Sequence, residues 1–413
     1  MSNNTKSIHL KPLAWLLSLV YFSSYMTRKN FATVLQEVIT DTGISEETLS
    51  VILVSMTVTY GIGQIINGRL GDKFKPTNMI FCGLLIATAV NIIFPFISSS
   101  VISMAIFWGI NGFAQSMMWP PIVKILVTNC DDKMYNYSSL RISWGSSFAT
   151  IALYLIAPLT ISVTGSWKAI FLVSSIIGVA ACITWFFVKS RISVHQSENE
   201  NVPAEIIAPQ KNSHFSVPRS AIFPLIFIIF AIVFQGMLRD GVANWTPTIL
   251  ADVYGMSNHS AILSGAVLAI FSIVCFAISS AVYKRFFTNE VLCGALIFGV
   301  AILAALILFI LFGKSSLVAI ICLTLITGCM HGVNLMLITH VPKRFKKHGN
   351  ISTFAGILNA CTYIGEAIFT YGLALIANHF SWRTSIAICF AMGLLGMICC
   401  IIASQPWNKF TKE

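Results

Sequence analysis

Charge is what this sequence has least of. Only 10% of its 413 residues are Asp, Glu, Lys or Arg, where a soluble domain carries about 25%. Acids are the scarcer sign, 15 against 26 basic residues. Catalytic signatures are missing too. There is no P-loop, no HExxH pair, and Gly61-Ile62-Gly63 lacks the third glycine of a dinucleotide-binding turn. No CxxC pair occurs among the 11 cysteines, an odd number set mostly in apolar runs, such as Cys275, Cys322, Cys399 and Cys400. Those absences exclude ATP hydrolysis, a zinc site and a disulfide framework, and no nucleophile and base stand together. We therefore expect no enzyme, no cofactor, no metal and no nucleic-acid partner. The first apolar run contains Arg28 and lacks a small-residue cleavage site, which argues against a removable signal peptide.

What the chain has is apolar length. Hydrophobic residues make up 56% of it, and the mean hydropathy is +0.81. A helix crossing a bilayer needs about 20 apolar residues. Runs of that size lie near residues 12–36, 47–68, 77–98, 101–128, 138–163, 168–188, 220–250, 260–283, 290–312, 315–341, 350–378 and 384–404. The expected fold is an all-α membrane protein of twelve transmembrane helices in two pseudo-symmetric six-helix bundles. The gaps agree with an even number of crossings. Lys and Arg gather in alternate gaps, while the opposite side holds only Lys168, Lys314 and Arg383, and the loop after the first span offers Asp41, Glu46 and Glu47. By the positive-inside rule both termini are expected in the cytoplasm.

One long polar stretch, 189–219, divides the spans six and six, giving bundles at 1–188 and 220–413 about a cytoplasmic linker. The halves echo each other. Ser166-Trp167-Lys168 opens the sixth span and Ser381-Trp382-Arg383 the twelfth, and each half's first span carries one arginine, Arg28 and Arg239. Six-plus-six repeats suit a carrier whose halves rock about a central site. Between spans two and three, Gly68-Arg69-Leu70-Gly71-Asp72-Lys73-Phe74-Lys75 resembles the signature loop of the major facilitator superfamily. Gly68 and Gly71 there permit close helix approach. Asp72 is placed to hold a helix end or a basic partner in one conformational state.

Ionisable groups at membrane depth are costly and mark function by default. Tyr21, Tyr25 and Arg28 fall at i, i+4, i+7 on one helix face, as do Tyr60, Gln64 and Asn67 on span two. Gln235 precedes Arg239 by one turn, and Asn359, Tyr363, Glu366 and Thr370 line span eleven. Arginine cannot discard its proton. It needs an anion, water, or a structural partner such as Asp240, Glu37 or Glu366. Arg28, Lys29 and Arg239 outnumber Asp240 and Glu366, which favours an anionic ligand gripped by planar guanidinium forks.

Three segments carry a family resemblance: Tyr21 through Phe31 with Arg28-Lys29-Asn30-Phe31, Gln115 through Pro121 with Trp119-Pro120-Pro121, and Leu238 through Pro247 with Arg239, Gly241 and Trp245. They resemble the organophosphate:phosphate antiporters, which exchange phosphate esters for inorganic phosphate. The resemblance implies that Arg28 and Arg239 grip the phosphoryl group. It implies further that Lys29, Tyr21, Tyr25, Tyr60, Gln64, Gln115, Tyr363 and Glu366 complete the binding site. The chain departs from the glycerol-phosphate pattern. Gly145 stands where a histidine is expected, Gln64 where a lysine is, and Asn244 where an acid is, while Asp240 and Glu366 are added. A larger or less charged anion than glycerol phosphate is therefore expected, such as a sugar phosphate or sulfonate.

The expected function is alternating-access exchange of a small organic anion for phosphate by a monomer in a bacterial inner membrane. A proton-coupled symporter of a sugar acid, sulfonate or other carboxylate is the alternative, with Glu366 or Asp240 titrating. A membrane sensor of hexose phosphate is a further one, since the family includes such receptors. His331 and Asn334 share a face of span ten, and Trp119-Pro120-Pro121 is expected to kink span four.

Overall fold

The computed structural model describes residues 5–198, 217–256, 258–348 and 350–412, and every regular element among them is helical. The chain divides into two units. The first is Met1–Phe215 with Phe345–Ala360, the second Ser216–Arg344 with Cys361–Glu413.

In the first unit α1 (Thr5–Thr33) runs into the short α2 (Leu35–Thr42), followed by α3 (Glu46–Lys73) and α4 (Pro76–Ile93). The fourth span is broken into α5 (Val101–Ser116) and α6 (Trp119–Asn129). The break falls at Met117-Met118, immediately before Trp119-Pro120-Pro121, because proline lacks the N–H that would continue the ladder. Then come α7 (Asp132–Thr164) and α8 (Lys168–Glu198). In the second unit α9 (Arg219–Gly236) and α10 (Val242–Tyr254) are joined by a π turn, Met237–Gly241. There follow α11 (Asn258–Phe286), α12 (Glu290–Ile310) and α13 (Ser316–Asn334). A second π turn, Leu335–His340, and a 3-10 turn, Val341–His348, lead to α14 (Ile351–His379) and α15 (Trp382–Lys412). The first residues of α14, as far as Ala360, belong to the first unit and the rest to the second.

Ten helical stretches among the described residues are long and apolar enough to cross a membrane. The two long helices outside that set, α1 and α14, carry the polar faces of Arg28 and Glu366. Together they make the expected twelve. Large apolar side chains point outward, for example Val163, 85% exposed, and Phe96, 77% exposed. Such a surface is stable only against hydrocarbon, so the protein is a multi-pass integral membrane protein.

The linker expected over 189–219 begins later than its composition indicates, since α8 continues to Glu198. Neither Gly nor Pro interrupts the chain between Gly178 and Pro203 to stop the helix. Residues 199–216 lie outside the described residues.

Helix ends follow local rules. Asp131 accepts from the Met134 amide at 2.7 Å, and Asn289 accepts from Val291 and Leu292, satisfying amides at the starts of α7 and α12. Gly43 and Gly255 close α2 and α10 at φ of 68° and 64°, which costs a glycine least. Near these two caps a relation recurs. The Trp167 indole donates to Asp41 at 2.9 Å, and the Trp382 indole to Asp252 at 3.1 Å. In each unit the last span opens with a tryptophan tied to an acid at the end of the first. The core of the first unit is aromatic, with Phe31, Phe94, Trp108 and Phe171 fully buried and Phe94 and Phe171 stacked at 4.9 Å.

Candidate functional site

In the first unit, spacing along α1 brings Tyr21, Tyr25 and Arg28 to one side. The Tyr21 and Tyr25 rings lie 5.2 Å apart, and Tyr21 meets Trp119 at 5.4 Å. The Arg28 guanidinium carbon sits 4.0 Å from the Tyr60 ring centroid and 5.5 Å from that of Tyr25. Aromatic faces stabilise a cation without consuming its in-plane N–H donors. The Tyr60 hydroxyl accepts from Asn359 at 3.4 Å. One turn beyond Tyr60, Gln64 is completely buried, and neither its amide oxygen nor its nitrogen has a hydrogen-bond partner. The indole nitrogen of Trp119 is buried without one too. Lys29 is half-buried on α1.

Gln115 does not join this group. Its oxygen accepts from Ser24, and its nitrogen donates to Thr27 at 2.9 Å and to Asn111 at 3.3 Å. The amide packs α5 against α1, and a ligand role for Gln115 would require it to exchange these bonds for those of a cargo. Trp119, expected only as part of a kink, is the residue at that end of span four which reaches the tyrosines.

In the second unit Arg239 is buried within the π turn. Its Nε donates to Asp240 at 2.8 Å, and a second guanidinium nitrogen bonds the same carboxylate oxygen. Neighbours in an α-helix point about 100° apart. The wider turn brings these two side chains together, and such turns are frequent at functional sites. The pairing held in reserve for Arg239 is thus the one observed. It removes net positive charge from this half of the expected site. Tyr363 is buried and Glu366 half-buried on α14. Gln235 is held by the Met330 carbonyl at 3.1 Å and by Thr362 at 3.3 Å. Thr370 is occupied by Trp245 and Asn244, so it serves helix packing. His331 lies against the Phe276 ring.

Asp72 makes the most definite contact of the signature loop. Its carboxylate accepts from the backbone amides of Ser352, at 3.0 Å, and Thr353, at 2.9 Å, and from the Thr353 hydroxyl at 2.6 Å. These are orphan donors at the start of α14, where a negative charge also meets the positive end of the helix dipole. Lys124 donates to the Gly71 and Asp72 carbonyls, with its ammonium 4.0 Å from the Asp72 carboxylate. Glycine is required here. A Cβ on Gly71 would come within 3.0 Å of the Ser352 Cβ, and one on Gly68 within 3.0 Å of the Ser352 carbonyl.

Two further features lie away from these residues. A cavity of about 650 Å³ among α3, α4 and α5 is walled by Val51, Val54, Ile106 and Phe113. Its hydroxyls, on Ser55 and Thr59, are bonded to helix carbonyls, so it offers nothing to an anion. Glu290 belongs to none of the sequence motifs. This fully buried acid accepts from Arg344 at 2.9 and 2.7 Å and from Trp407 at 3.0 Å. Arg344 is one of the basic residues that gather in alternate gaps between the spans.

These helices and their buried charges define a polytopic membrane protein built around polar sites inside an apolar shell. The chain belongs to the Major Facilitator Superfamily, whose family model matches residues 17–370. It is 25% identical over 420 residues to a glycerol-3-phosphate transporter of Bacillus subtilis, covering 94% of this chain and 90% of that one. A probable hexose phosphate transport protein of Chlamydia trachomatis is 27% identical over 62% of this chain and 59% of its own. The membrane sensor protein UhpC of Escherichia coli is 26% identical over 26% of this chain and 24% of its own. The fold is that of the human organic anion transporter MFSD10, with a TM-score of 0.75, 11% identity, and coverage of 95% of this chain and 99% of that one.

Proposed function

We propose that this protein is a secondary transporter that exchanges a small phosphate ester, such as a sugar phosphate, for inorganic phosphate by alternating access. The observation that carries the reading is Arg28 on the tyrosine faces, with the buried, unpartnered amide of Gln64 one turn beyond Tyr60 on α3. A buried amide without partners costs about 1–3 kcal/mol per unsatisfied group, a cost that a polar guest at this spot relieves. A planar guanidinium matches a phosphoryl group with two parallel N–H donors, and Lys29 adds charge. The named activity of the Bacillus subtilis relative, which this chain matches almost end to end, supports the same substrate class.

Arg239 is the second grip in this reading, released when cargo takes the place of Asp240. Because each arginine carries a permanent charge, each offers an anion a fixed counter-charge. Access alternates between the two sides of the membrane, and the Asp72 contact with the start of α14 locks one of the alternating states. Tyr363 and Glu366 meet the hydroxyl-bearing end of the ester. The protein acts as a monomer in a bacterial inner membrane, with both termini cytoplasmic by the distribution of Lys and Arg.

Proton coupling is a second reading, favoured by the Arg239–Asp240 pair. Protonation of Asp240 would release Arg239 and so link anion binding to a proton. Uptake of radiolabelled phosphate and phosphate esters into phosphate-loaded proteoliposomes separates the two. Exchange that needs internal phosphate and ignores a pH gradient is expected. Uptake driven by the gradient alone would replace antiport by symport. Undiminished exchange in both Arg28→Lys and Arg239→Lys would refute the site.

A further inference from the structure

A third arginine lies within an apolar span and has no part in the site above. Arg141 stands on α7, and its backbone carbonyl accepts from Ser18 of α1 at 2.8 Å. Its guanidinium carbon lies 4.1 Å from the Tyr137 ring centroid, 4.7 Å from that of Trp144 and 5.7 Å from that of Trp15. All four residues belong to the first unit. Among the described residues Arg141 forms no salt bridge, and its Nε is buried without a hydrogen-bond partner.

We infer that Arg141, caged by Trp15, Tyr137 and Trp144, is a second oxyanion site that takes a phosphoryl group. Guanidinium cannot neutralise itself by losing a proton. Aromatic faces hold its plane, yet they supply no counter-charge and bond none of its N–H groups. A caged fork with an idle Nε is therefore already ordered for a bidentate oxyanion. An arginine that only snorkels extends a flexible stem toward water. This one is clamped by rings from two helices instead. The site is separate from Arg28. Ser18 contacts α7 beside Gly145 and precedes Arg28 by about 15 Å of helix rise. Arg141, level with Trp15, lies about 20 Å from Arg28 toward the N-terminal end of α1.

The choice of phosphoryl over other oxyanions rests on the transport reading above; the existence of an oxyanion site does not. Two sources present the same chemistry: soluble cargo waiting in the vestibule, and the phosphate of an anionic lipid headgroup. Trp15 and Trp144 report on both by fluorescence. The full-length protein, its Arg28→Lys variant and its Arg141→Gln and Arg141→Lys variants would be placed in phosphatidylcholine vesicles. Each is titrated with inorganic phosphate, with sulfate as a second probe, and then with phosphatidylglycerol at fixed protein.

The expected result is a saturable fluorescence change that persists in Arg28→Lys and weakens about tenfold or more in both Arg141 variants. A response to phosphate or sulfate in phosphatidylcholine assigns the site to soluble anions. A response to phosphatidylglycerol alone assigns it to lipid. Arg141→Lys keeps the charge, so it carries the test if Arg141→Gln does not fold. Arg141→Lys responding like the parent in both titrations overturns the inference and leaves Arg141 an interfacial anchor only. Failure of the Arg28 reading would show separately, as unchanged transport in Arg28→Lys.

Discussion

The guanidinium of Arg28 rests on the face of Tyr60, 4.0 Å from the ring centroid, while the Tyr60 hydroxyl is taken up by Asn359. One side chain thus separates two contributions. A cation on an aromatic face gains about 0.5–2 kcal/mol, and the hydroxyl only completes a hydrogen bond. Tyr60→Phe should leave the half-saturation concentration for phosphate uptake within about threefold of the parent. Tyr60→Leu, which removes the face, should raise it about tenfold. Equal effects in the two variants would mean that the hydroxyl, not the ring, positions Arg28.

The Arg239–Asp240 pair leads to a test of opposite sign. In the proposed cycle Asp240 competes with cargo for the same guanidinium. Asp240→Asn should lower the half-saturation concentration for a dianionic ester, by about fivefold for a weakened charge-assisted bond. It should also lower the thermal stability of the ligand-free protein, because breaking a buried pair leaves an uncompensated charge. Added phosphate should restore that stability. Unfolding followed in detergent with and without phosphate gives both readings. A variant that binds more weakly would make Asp240 a member of the site and not a competitor.

Much of this was legible in one sequence because a bilayer leaves few alternatives. Apolar runs located the spans, although α8 and α15 continue well past them as polar helix, and depth alone singled out Arg28 and Arg239. The paired Ser-Trp-basic openings at Trp167 and Trp382 marked the repeat, and their indoles reach equivalent acids, Asp41 and Asp252. What escaped depends on which way a side chain turns. Gln115 has the composition of a ligand contact but packs two helices. Asp240 was one of three acids open as partners for a buried arginine, and the side-chain geometry of the π turn selects it for Arg239. Arg141 lay in an apolar run flanked by Tyr137 and Trp144 at helical spacing, a signal present in the sequence and not counted. Glu290 and Arg344 lie far apart in the chain, so only the fold brings them together.

The Asp72 contact predicts a shift between conformations. Three donors of Ser352 and Thr353 converge on its carboxylate, and losing a helix cap of this kind costs about 1 kcal/mol. Asp72→Asn should reduce the population of this state by about fivefold, read as faster maleimide labelling of a cysteine placed at Ser352 in a cysteine-depleted background. Gly71→Ala should act the same way, because its Cβ would press on Ser352. Unchanged labelling in both would exclude the loop as a lock on the start of α14.

Glu290 gives a prediction about stability alone. It is fully buried at the start of α12 and receives two bonds from Arg344 and one from Trp407. Glu290→Gln leaves the arginine without its counter-charge, and because the Arg344 side chain is 29% exposed water offsets part of the loss, leaving a cost of about 1–3 kcal/mol. The denaturation midpoint in detergent should fall, while any protein that remains folded should keep the parent's half-saturation for substrate. The double variant Glu290→Gln with Arg344→Gln should recover part of the loss, since neither partner is then an unpaired charge. A double variant no more stable than Glu290→Gln would mean that the Trp407 bond and packing at this corner, not the ion pair, hold the second unit together.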